Sequence, residues 1–362
     1  MNIHYLTLTF DEGNGGFRVI TNVLNGLVAK GHDVTITSML PSRSPFMLDK
    51  KIAFNQAKFA KRNLFVLGLC RMLRKFSAYD LDGYAAIRTS VSKWLPECDL
   101  NIAHSYGDVF PIFESNMGVP FHYMQHDELV ISSDPAAKAV CDEAYNLPIK
   151  RLVNSIWLHN NMKERYGYDL PVVNPAINHK IFFPRGVNKK SDKRIVLCFG
   201  GRQLPWKGFN DAIHAMKLVN KHMDNVEFWV YGRKPIQLHE PFPHIFYTNP
   251  SDEELADLYR TADVTICPSW FESFPLPPLE AMACGSPTVT TRFGTEDYAF
   301  DGKNALVVPP RSPKSLADAI IRLLKDEHLS EYFRKEGPKT ANQFTWDKTV
   351  DNVEQIFRRI LN

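Results

Sequence analysis

The chain has 362 residues, a length that fits two α/β domains of ordinary size better than one core. Its 43 lysine and arginine residues barely exceed its 40 aspartate and glutamate residues, so no overall charge favours binding to nucleic acid. Its six cysteines are scattered, without a C-x-x-C pair or histidine-rich spacing, which excludes a recognisable zinc site and predicts reduced thiols.

The first predicted element is a β-strand, Ile3 to Leu8. The N-terminal residues lack the basic and apolar regions of a signal peptide. No uninterrupted apolar stretch approaches the roughly 20 residues that a membrane-spanning helix needs. We therefore expect a cytoplasmic protein.

Short apolar runs alternate with amphipathic stretches along the whole chain, a pattern typical of βαβ units that build parallel sheets. The predicted strands fall into two series, 3–8, 34–38, 100–104 and 121–125, then 194–199, 226–231, 264–268 and 287–291. The proline- and lysine-containing stretch 174–193 lies between the series and predicts a hinge. From Thr345 onward, apolar residues at helical spacing predict a closing helix.

A glycine-rich segment, 10–18, follows the first strand and includes Gly15 and Gly16. Adjacent glycines permit close backbone approach, and the N-terminus of the next helix offers N–H groups to an anion. A plain tight turn accounts for the segment equally well.

A basic segment lies between Lys50 and Lys75 and contains no acidic residue. Its eight cations are Lys50, Lys51, Lys58, Lys61, Arg62, Arg71, Arg74 and Lys75, and phenylalanine and leucine residues interleave with them. This pattern predicts a basic amphipathic surface helix that lies on an anionic membrane. A solvated helical arm packed on the sheet is the alternative.

A second glycine-punctuated turn, 200–208, follows the first strand of the second series. Arg202 has a guanidinium that forks onto phosphate oxygens, and Lys207 supplies a point charge, so the pair suits a diphosphate. Solvated surface cations are the alternative.

The third candidate segment is 272–285, where Pro277 or Pro278 is expected at the first helical position and Gly285 ends the helix. Glu272 then lies on the loop and Glu280 in the first turn. Ionised carboxylates accept hydrogen bonds from vicinal hydroxyls, so a sugar and a ribose would fit. Two solvent-facing acids near a helix start are the alternative.

With these segments, the chain resembles the retaining glycosyltransferases of family 4, which have the GT-B fold. Its most specific motif is Glu-x7-Glu, matched by Glu272 and Glu280, and its Arg-x4-Lys pair is matched by Arg202 and Lys207. In that family the first glutamate contacts the donor sugar, the second binds the ribose, and the cations hold the diphosphate. The family also tends to have a histidine near the anomeric centre. His126 is the candidate here, with His122 as an alternative.

The resemblance implies two Rossmann-like domains that face each other across a cleft, with a C-terminal helix crossing back to the N-terminal domain. Residues 1–174, with the helix 346–362, would form the acceptor-binding domain, and 175–345 the donor-binding domain. Its implied donor-site residues are Gly15, Gly16, Arg202, Lys207, Ser273, Phe274, Leu276 and Glu280, and its implied catalytic residues are His126, Arg202, Lys207 and Glu272.

The implied activity is metal-independent transfer, with retention, of a sugar from a nucleoside-diphosphate sugar to a hydroxyl of a glycan or lipid-linked acceptor. No cofactor is expected beyond this co-substrate. A role in cell-surface polysaccharide biosynthesis follows, with peripheral attachment to the inner face of the cell membrane.

Two features depart from the family pattern. Pro275 replaces a common glycine and removes a backbone donor, and Tyr231-Gly232-Arg233 replaces an acidic turn near the nucleotide.

Three other functions remain open at this point. A sugar-nucleotide epimerase also uses paired Rossmann-like halves, and a non-catalytic nucleotide-sugar-binding protein or a sugar phosphorylase fits the same architecture. The base, the transferred sugar, the acceptor, the linkage and the oligomeric state are not set by these motifs.

Overall fold

The computed structural model describes residues 1–10, 15–42, 47–56, 60–73, 91–186, 192–200 and 204–362. The chain divides into two compact units. The N-terminal unit comprises Met1–Pro175 and Trp346–Asn362, and the C-terminal unit comprises Ala176–Thr345.

The N-terminal unit contains a six-stranded parallel sheet in the order β3-β2-β1-β4-β5-β6. This is the Rossmann order, in which the strand sequence reverses beside β1. The strands are β1 Asn2–Thr7, β2 Asp33–Ser38, β3 Ala53–Gln56, β4 Leu100–Ala103, β5 Val119–Met124 and β6 Lys150–Val153. The helices are α1 Gly15–Ala29, α2 Ala60–Leu73, α3 Tyr106–Ser115, α4 Glu128–Ile131, α5 Pro135–Asn146 and α6 Ile156–Tyr166.

The C-terminal unit repeats this plan with the order β12-β11-β10-β7-β8-β9, again all parallel. Its strands are β7 Arg194–Phe199, β8 Val226–Gly232, β9 His244–Thr248, β10 Val264–Cys267, β11 Thr288–Thr291 and β12 Leu306–Val308. Its helices are α7 Phe209–His222, α8 Asp252–Thr261, α9 Leu276–Ala283, α10 Pro313–Lys325 and α11 Glu327–Ala341. The predicted fold class, two Rossmann-like parallel-sheet domains, is confirmed.

Local sequence signals explain where several helices begin. The Ser155 hydroxyl accepts from the backbone N–H of Leu158 at 3.2 Å and caps α6. Ser251 and Glu254 form a reciprocal capping box at the start of α8. Such caps satisfy N–H groups that the first helical turn leaves unpaired.

The C-terminal helix α12, Trp346–Leu361, belongs to the N-terminal unit and packs on α1. The two helices approach each other closely at Gly26 of α1, because a Cβ there would overlap the side chain of Val350. Glu354 of α12 accepts hydrogen bonds from Lys30 at 2.8 Å and from Arg358 at 2.7 Å, which lowers the pKa of its carboxyl to about 2. The expected return of the C-terminal helix to the N-terminal domain is thereby confirmed.

The basic segment is not one continuous helix as expected. Residues 53–56 form β3, because their backbone pairs with β2 from Thr35 to Ser38, and among the described residues of this segment the helix comprises 60–73. Lys58, Arg74 and Lys75, and the side chain of Arg71, lie outside the described part of the chain. Of the helices that the structure describes, none combines the length and the apolar composition that crossing a bilayer requires.

Candidate active site

The turn between β7 and α7 places Lys207 at the carboxyl edge of the C-terminal sheet. A short 3₁₀ turn, Pro205–Lys207, ends at Gly208, whose φ of +67° is in the left-handed region. A Cβ at Gly208 would collide with the carbonyl oxygen of Pro268, which follows β10. Glycine is therefore needed here for both its conformation and its size. Arg202, the other expected cation, lies outside the described residues.

The segment after β10 runs alongside this turn. The backbone N–H of Trp270 donates to the carbonyl oxygen of Trp206 at 2.7 Å, and the Trp270 indole N–H donates to the Asp211 carboxylate at 2.6 Å. Two hydrogen bonds and the close approach at Gly208 thus hold the two segments in register. Lys207 and Glu272, which are 65 positions apart in sequence, are brought face to face.

Lys207 and Glu272 form the centre of this arrangement. The Lys207 Nζ lies 2.5 Å from Glu272 Oε1, and both side chains are partly buried. The same carboxylate oxygen accepts from the Ser269 hydroxyl at 2.8 Å. A charge-assisted hydrogen bond in a partly desolvated place is stronger than an exposed ion pair, so it fixes both side chains.

The backbone of Glu272 is held from a third segment, which follows β11. The Glu272 N–H donates to the carbonyl oxygen of Phe293 at 3.2 Å. Gly294, with φ of +90°, lies so close that a Cβ would overlap the carbonyl oxygen of Glu272. Three loops at the carboxyl ends of β7, β10 and β11 therefore position one carboxylate. Ligands bind at this edge in open α/β sheets.

The second glutamate of the motif, Glu280, is buried within α9. The Tyr259 hydroxyl donates to Glu280 Oε2 at 3.2 Å, and the Tyr231 hydroxyl contacts the Tyr259 hydroxyl at 2.7 Å. Burial and the nearby Glu280 carboxylate raise the pKa values of both tyrosines, so both hydroxyls are protonated at neutral pH. A chain of two tyrosines orients the Glu280 carboxylate.

The start of α9 differs from the expectation. The helix begins at Leu276, so Pro277 and Pro278 occupy the second and third helical positions and supply no N–H. The first turn of an ordinary helix offers four free N–H groups to an anion. In α9 the two prolines leave only those of Leu276 and Leu279 among the first four residues. Glu280 falls in the second turn rather than the first.

The remaining C-terminal candidates, Ser273 and Phe274, are buried beside this helix. The Phe274 ring packs against Tyr298 and Phe344, with centroids 5.2 Å and 5.8 Å away. Its side chain is therefore part of the core, and only its backbone is suited to bind a ligand. Leu276 likewise packs against the core of the unit.

The N-terminal candidates lie at the carboxyl edge of the other sheet. Gly15 and Gly16 are the first residues of α1, and His126 follows β5 and is partly exposed. His122, the alternative histidine, is fully buried in β5, and its pKa is lowered by burial. Only His126 of the two is accessible from solvent.

A residue that the sequence reasoning did not single out, His104, lies directly after β4. The Phe17 ring stacks on its imidazole with centroids 4.2 Å apart, and the Tyr5 hydroxyl contacts its Nδ1. Burial, and secondarily the neighbouring His126, lower the pKa of His104 to about 3. The sequence feature that points to His104 is its position at the end of a predicted strand. His126 has a similar position after β5.

Within the described ranges, no three histidine, cysteine, aspartate or glutamate residues are grouped as metal ligands. The five cysteines whose side chains are described, Cys98, Cys141, Cys198, Cys267 and Cys284, are all free thiols. Burial raises the pKa of Cys267, which is close to Glu272, to about 11, so it remains a protonated thiol at neutral pH.

Two parallel six-stranded Rossmann sheets in one chain are the architecture of the GT-B glycosyltransferases. Sucrose-phosphate synthase from Thermosynechococcus elongatus superposes with a TM-score of 0.77 at 18% identity, over 99% of this chain and 98% of that one. HepE from Anabaena, solved in complex with UDP-glucose, superposes with a TM-score of 0.72 at 14% identity, over 100% of this chain and 99% of that one. TarM from S. aureus, solved with fondaparinux, α-GlcNAc-glycerol and UDP, superposes with a TM-score of 0.75 at 11% identity, over 99% of this chain and 100% of that one. At these identities the likeness shows the fold.

Residues 181–340 match the family described as Glycosyl transferases group 1. This match covers most of the C-terminal unit and includes Lys207, Glu272 and Glu280. The D-inositol 3-phosphate glycosyltransferase of Acidothermus cellulolyticus is 27% identical over 72% of this chain and 67% of its own length. That of Corynebacterium jeikeium is 38% identical over 30% of this chain and 26% of its own length. The alignments thus span from about a quarter to about two thirds of these relatives.

Proposed function

We propose that this protein transfers a sugar, with retention of configuration, from a nucleoside-diphosphate sugar to a hydroxyl of a glycan or lipid-linked acceptor. The contact between Lys207 and Glu272 carries the proposal. A cation that would bind the diphosphate thereby lies beside a carboxylate that would bind sugar hydroxyls, at the sheet edge where ligands bind in open α/β sheets. Both residues lie in the part of the chain that matches the family.

The departing nucleoside diphosphate gains negative charge on its β-phosphate oxygens. The Lys207 ammonium, together with the Arg202 guanidinium expected from the motif, would stabilise that charge. Fixed charges aimed at the place where charge develops commonly contribute more to catalysis than any other effect. Two cations perform the role that a divalent metal has in other transferases, so we propose a metal-independent reaction.

Glu280 is the proposed ribose ligand. Its carboxylate is already oriented by Tyr259, so binding a ribose diol would cost little further ordering. The UDP in the HepE and TarM structures makes uridine diphosphate the first nucleotide to test. The backbone N–H groups of Ser273, Phe274 and Leu276 would complete the donor contacts.

In the N-terminal unit, we assign Gly15 and Gly16 to close backbone approach by the donor phosphates and His126 to the neighbourhood of the anomeric carbon. His126 lies close to His104, whose pKa is lowered by burial and secondarily by His126. An imidazole ring nitrogen forms hydrogen bonds, which suits contact with a sugar hydroxyl.

Helix α2 supports the proposal of a membrane-linked acceptor. Leu64, Phe65 and Leu69 are 53%, 71% and 39% exposed, and Lys61 and Arg62 are exposed on the same helix. The Asn63 side chain is instead buried and donates to the Met39 carbonyl oxygen at 3.0 Å. Exposed apolar side chains beside cations are typical of helices that lie on anionic bilayers. We propose peripheral binding to the inner face of the cell membrane and a role in surface polysaccharide synthesis.

Vesicle co-sedimentation tests this attachment. Wild type should pellet with vesicles containing anionic phosphatidylglycerol and remain in the supernatant with neutral phosphatidylcholine. The triple variant Leu64→Ser, Phe65→Ser, Leu69→Ser should lose pelleting. Phe300→Ser, which removes an exposed phenylalanine from the C-terminal unit, should not. Equal pelleting of all three proteins would reject α2 as the membrane contact.

Turnover of nucleotide sugars tests the activity. Wild type is incubated with UDP-glucose and related donors, with and without membrane lipid extract as acceptor, and UDP release and products are followed. We expect acceptor-dependent UDP release that survives EDTA. An epimerase would instead convert the donor without acceptor, and a phosphorylase would require phosphate. Either of those products would overturn the proposal.

A further inference from the structure

Two aromatic side chains adjoin the Lys207–Glu272 contact. Trp206 precedes Lys207, and Phe271 precedes Glu272. Their rings are nearly parallel, with an interplanar angle of 12° and centroids 6.1 Å apart. The two segments therefore touch at consecutive positions, once through charged groups and once through aromatic rings. Consecutive Cα atoms are about 3.8 Å apart, so the two contacts are neighbours along both segments.

The backbone fixes the aromatic pair. The Trp206 carbonyl oxygen accepts from the Trp270 N–H, and Gly208 lies against Pro268 just beyond. Trp270 itself is already engaged, because the Arg311 guanidinium lies 4.1 Å from its ring centroid and its indole N–H is bonded to Asp211. Trp206 and Phe271 are thus held by a rigid frame, which lowers the entropy cost of binding through them.

The pair is also partly exposed. Both rings have intermediate exposure, whereas core aromatics of the same unit such as Phe182 and Phe228 are fully buried. Burying the pair further under a ligand would remove apolar surface from water, which favours binding. Large, rigid aromatic side chains at this exposure are typical of recognition surfaces.

We propose that Trp206 and Phe271 form a sugar platform that binds the apolar face of a pyranose ring. One face of a pyranose consists of C–H groups, which carry slight positive charge and pack on the negative face of an aromatic ring. The ring hydroxyls at its edge would then meet the Glu272 carboxylate. This assignment rests on the proposed function, and the pyranose comes either from the donor or from the acceptor glycan.

Binding and kinetics of Trp206→Ala and Phe271→Ala test the platform and separate these sources. If the donor sugar binds there, the dissociation constant for UDP-glucose rises about 3- to 10-fold while that for UDP is unchanged. If the acceptor binds there, donor binding is unchanged and the KM for acceptor rises by a similar factor. Phe300→Ala serves as a matched control, since it removes an exposed ring elsewhere on the unit.

Trp206→Phe and Phe271→Tyr guard against loss of folding, because each keeps a ring and should restore most of the binding. Wild-type binding of UDP reports on the proposed function separately. Saturation-transfer NMR with methyl α-D-glucopyranoside as probe reports on the platform even without turnover, and the signal should fall in both alanine variants. Folded alanine variants with wild-type constants and wild-type saturation transfer would overturn the platform.

Discussion

The Lys207 ammonium and the Glu272 carboxylate neutralise each other at 2.5 Å, although in the proposed reaction each serves a different part of the donor. A bound diphosphate would compete with Glu272 for the same cation. The two residues hold each other in position before the donor arrives, and binding the donor must exchange this contact for two others. This exchange makes the site sensitive to the charge on Glu272.

Glu272→Gln should therefore have opposite effects on binding and on catalysis. Without the competing carboxylate, Lys207 is freed for phosphate, and the dissociation constant for UDP should fall about 2- to 10-fold. Turnover with UDP-glucose should drop at least tenfold, because a sugar contact is lost. Calorimetry and UDP release measure the two effects. Glu331→Gln, which removes an exposed ion-paired acid on α11, is the control. Weaker UDP binding by the variant would contradict the competition.

Gly208→Ala should unfold the turn that carries Lys207. The positive φ costs an alanine about 1 kcal/mol, and its Cβ would also meet the Pro268 carbonyl oxygen. Gly302→Ala is a matched control, because Gly302 has a φ of +69° but no neighbouring atom in the way. Thermal denaturation should show a clearly larger loss for Gly208→Ala, with weaker UDP binding. Equal losses would mean that the two segments are less tightly packed than the structure indicates.

Tyr259→Phe should weaken donor binding through Glu280. The variant keeps the ring and removes the hydroxyl that donates to Glu280 Oε2. A hydrogen bond of this kind contributes roughly 0.5 to 1.5 kcal/mol, so the dissociation constant for UDP should rise about 2- to 10-fold. Tyr247→Phe on β9 controls for the loss of a hydroxyl, and competition by free ribose-containing nucleosides should weaken in parallel. Unchanged UDP affinity would show that the Tyr259 hydroxyl does not help Glu280 to bind the nucleotide.

His4 should make the N-terminal unit less stable in acid. Its Nδ1 lies 2.8 Å from the Asn101 side-chain oxygen, its Nε2 lies 2.8 Å from the Thr37 hydroxyl, and the ring is fully buried. Burial lowers its pKa from 6.5 to about 4. The unfolded chain therefore binds a proton that the folded chain excludes, and stability is lost as pH falls from 6.5 towards 4.

The slope from this one histidine is at most about 1.4 kcal/mol per pH unit. Urea denaturation at pH 7 and pH 5 should show a smaller acid loss in His4→Gln than in wild type, whereas His328→Gln, at an exposed position, should behave as wild type. Equal pH dependence in all three proteins would show that His4 is protonated in the folded state.

The strands that the sequence predicted are the inner strands of both sheets, and those it missed are the four edges, β3, β6, β9 and β12. Inner parallel strands are buried on both faces and appear as continuous apolar runs. An edge strand needs fewer apolar residues. The sequence of β3, Ala-Phe-Asn-Gln, is mostly exposed and becomes a strand only through pairing with β2. That pairing is a tertiary contact, and the local sequence pattern of residues 53–56 does not predict it.

The candidate site shows the same division. Lys207 and Glu272 were predictable, because each is a charged residue at a strand-to-helix turn, where parallel sheets gather ligands. Their direct contact was not, since it depends on Gly208 and Gly294 letting three loops approach. Tyr259 and His104 were missed for a related reason. Their roles arise from partners distant in sequence, Glu280 in one case and Phe17 in the other.

Equilibrium binding of UDP to wild type, Lys207→Ala and Lys314→Ala is the most direct test of Lys207 as a ligand of the donor diphosphate. Lys314 is exposed on α10 of the same unit, so its removal changes the net charge equally without touching the site. Loss of a charge-assisted contact of roughly 1.5 to 3 kcal/mol predicts about 10- to 100-fold weaker binding by Lys207→Ala, and wild-type binding by Lys314→Ala. If folded Lys207→Ala bound UDP as tightly as wild type, the C-terminal sheet edge would not be the donor site.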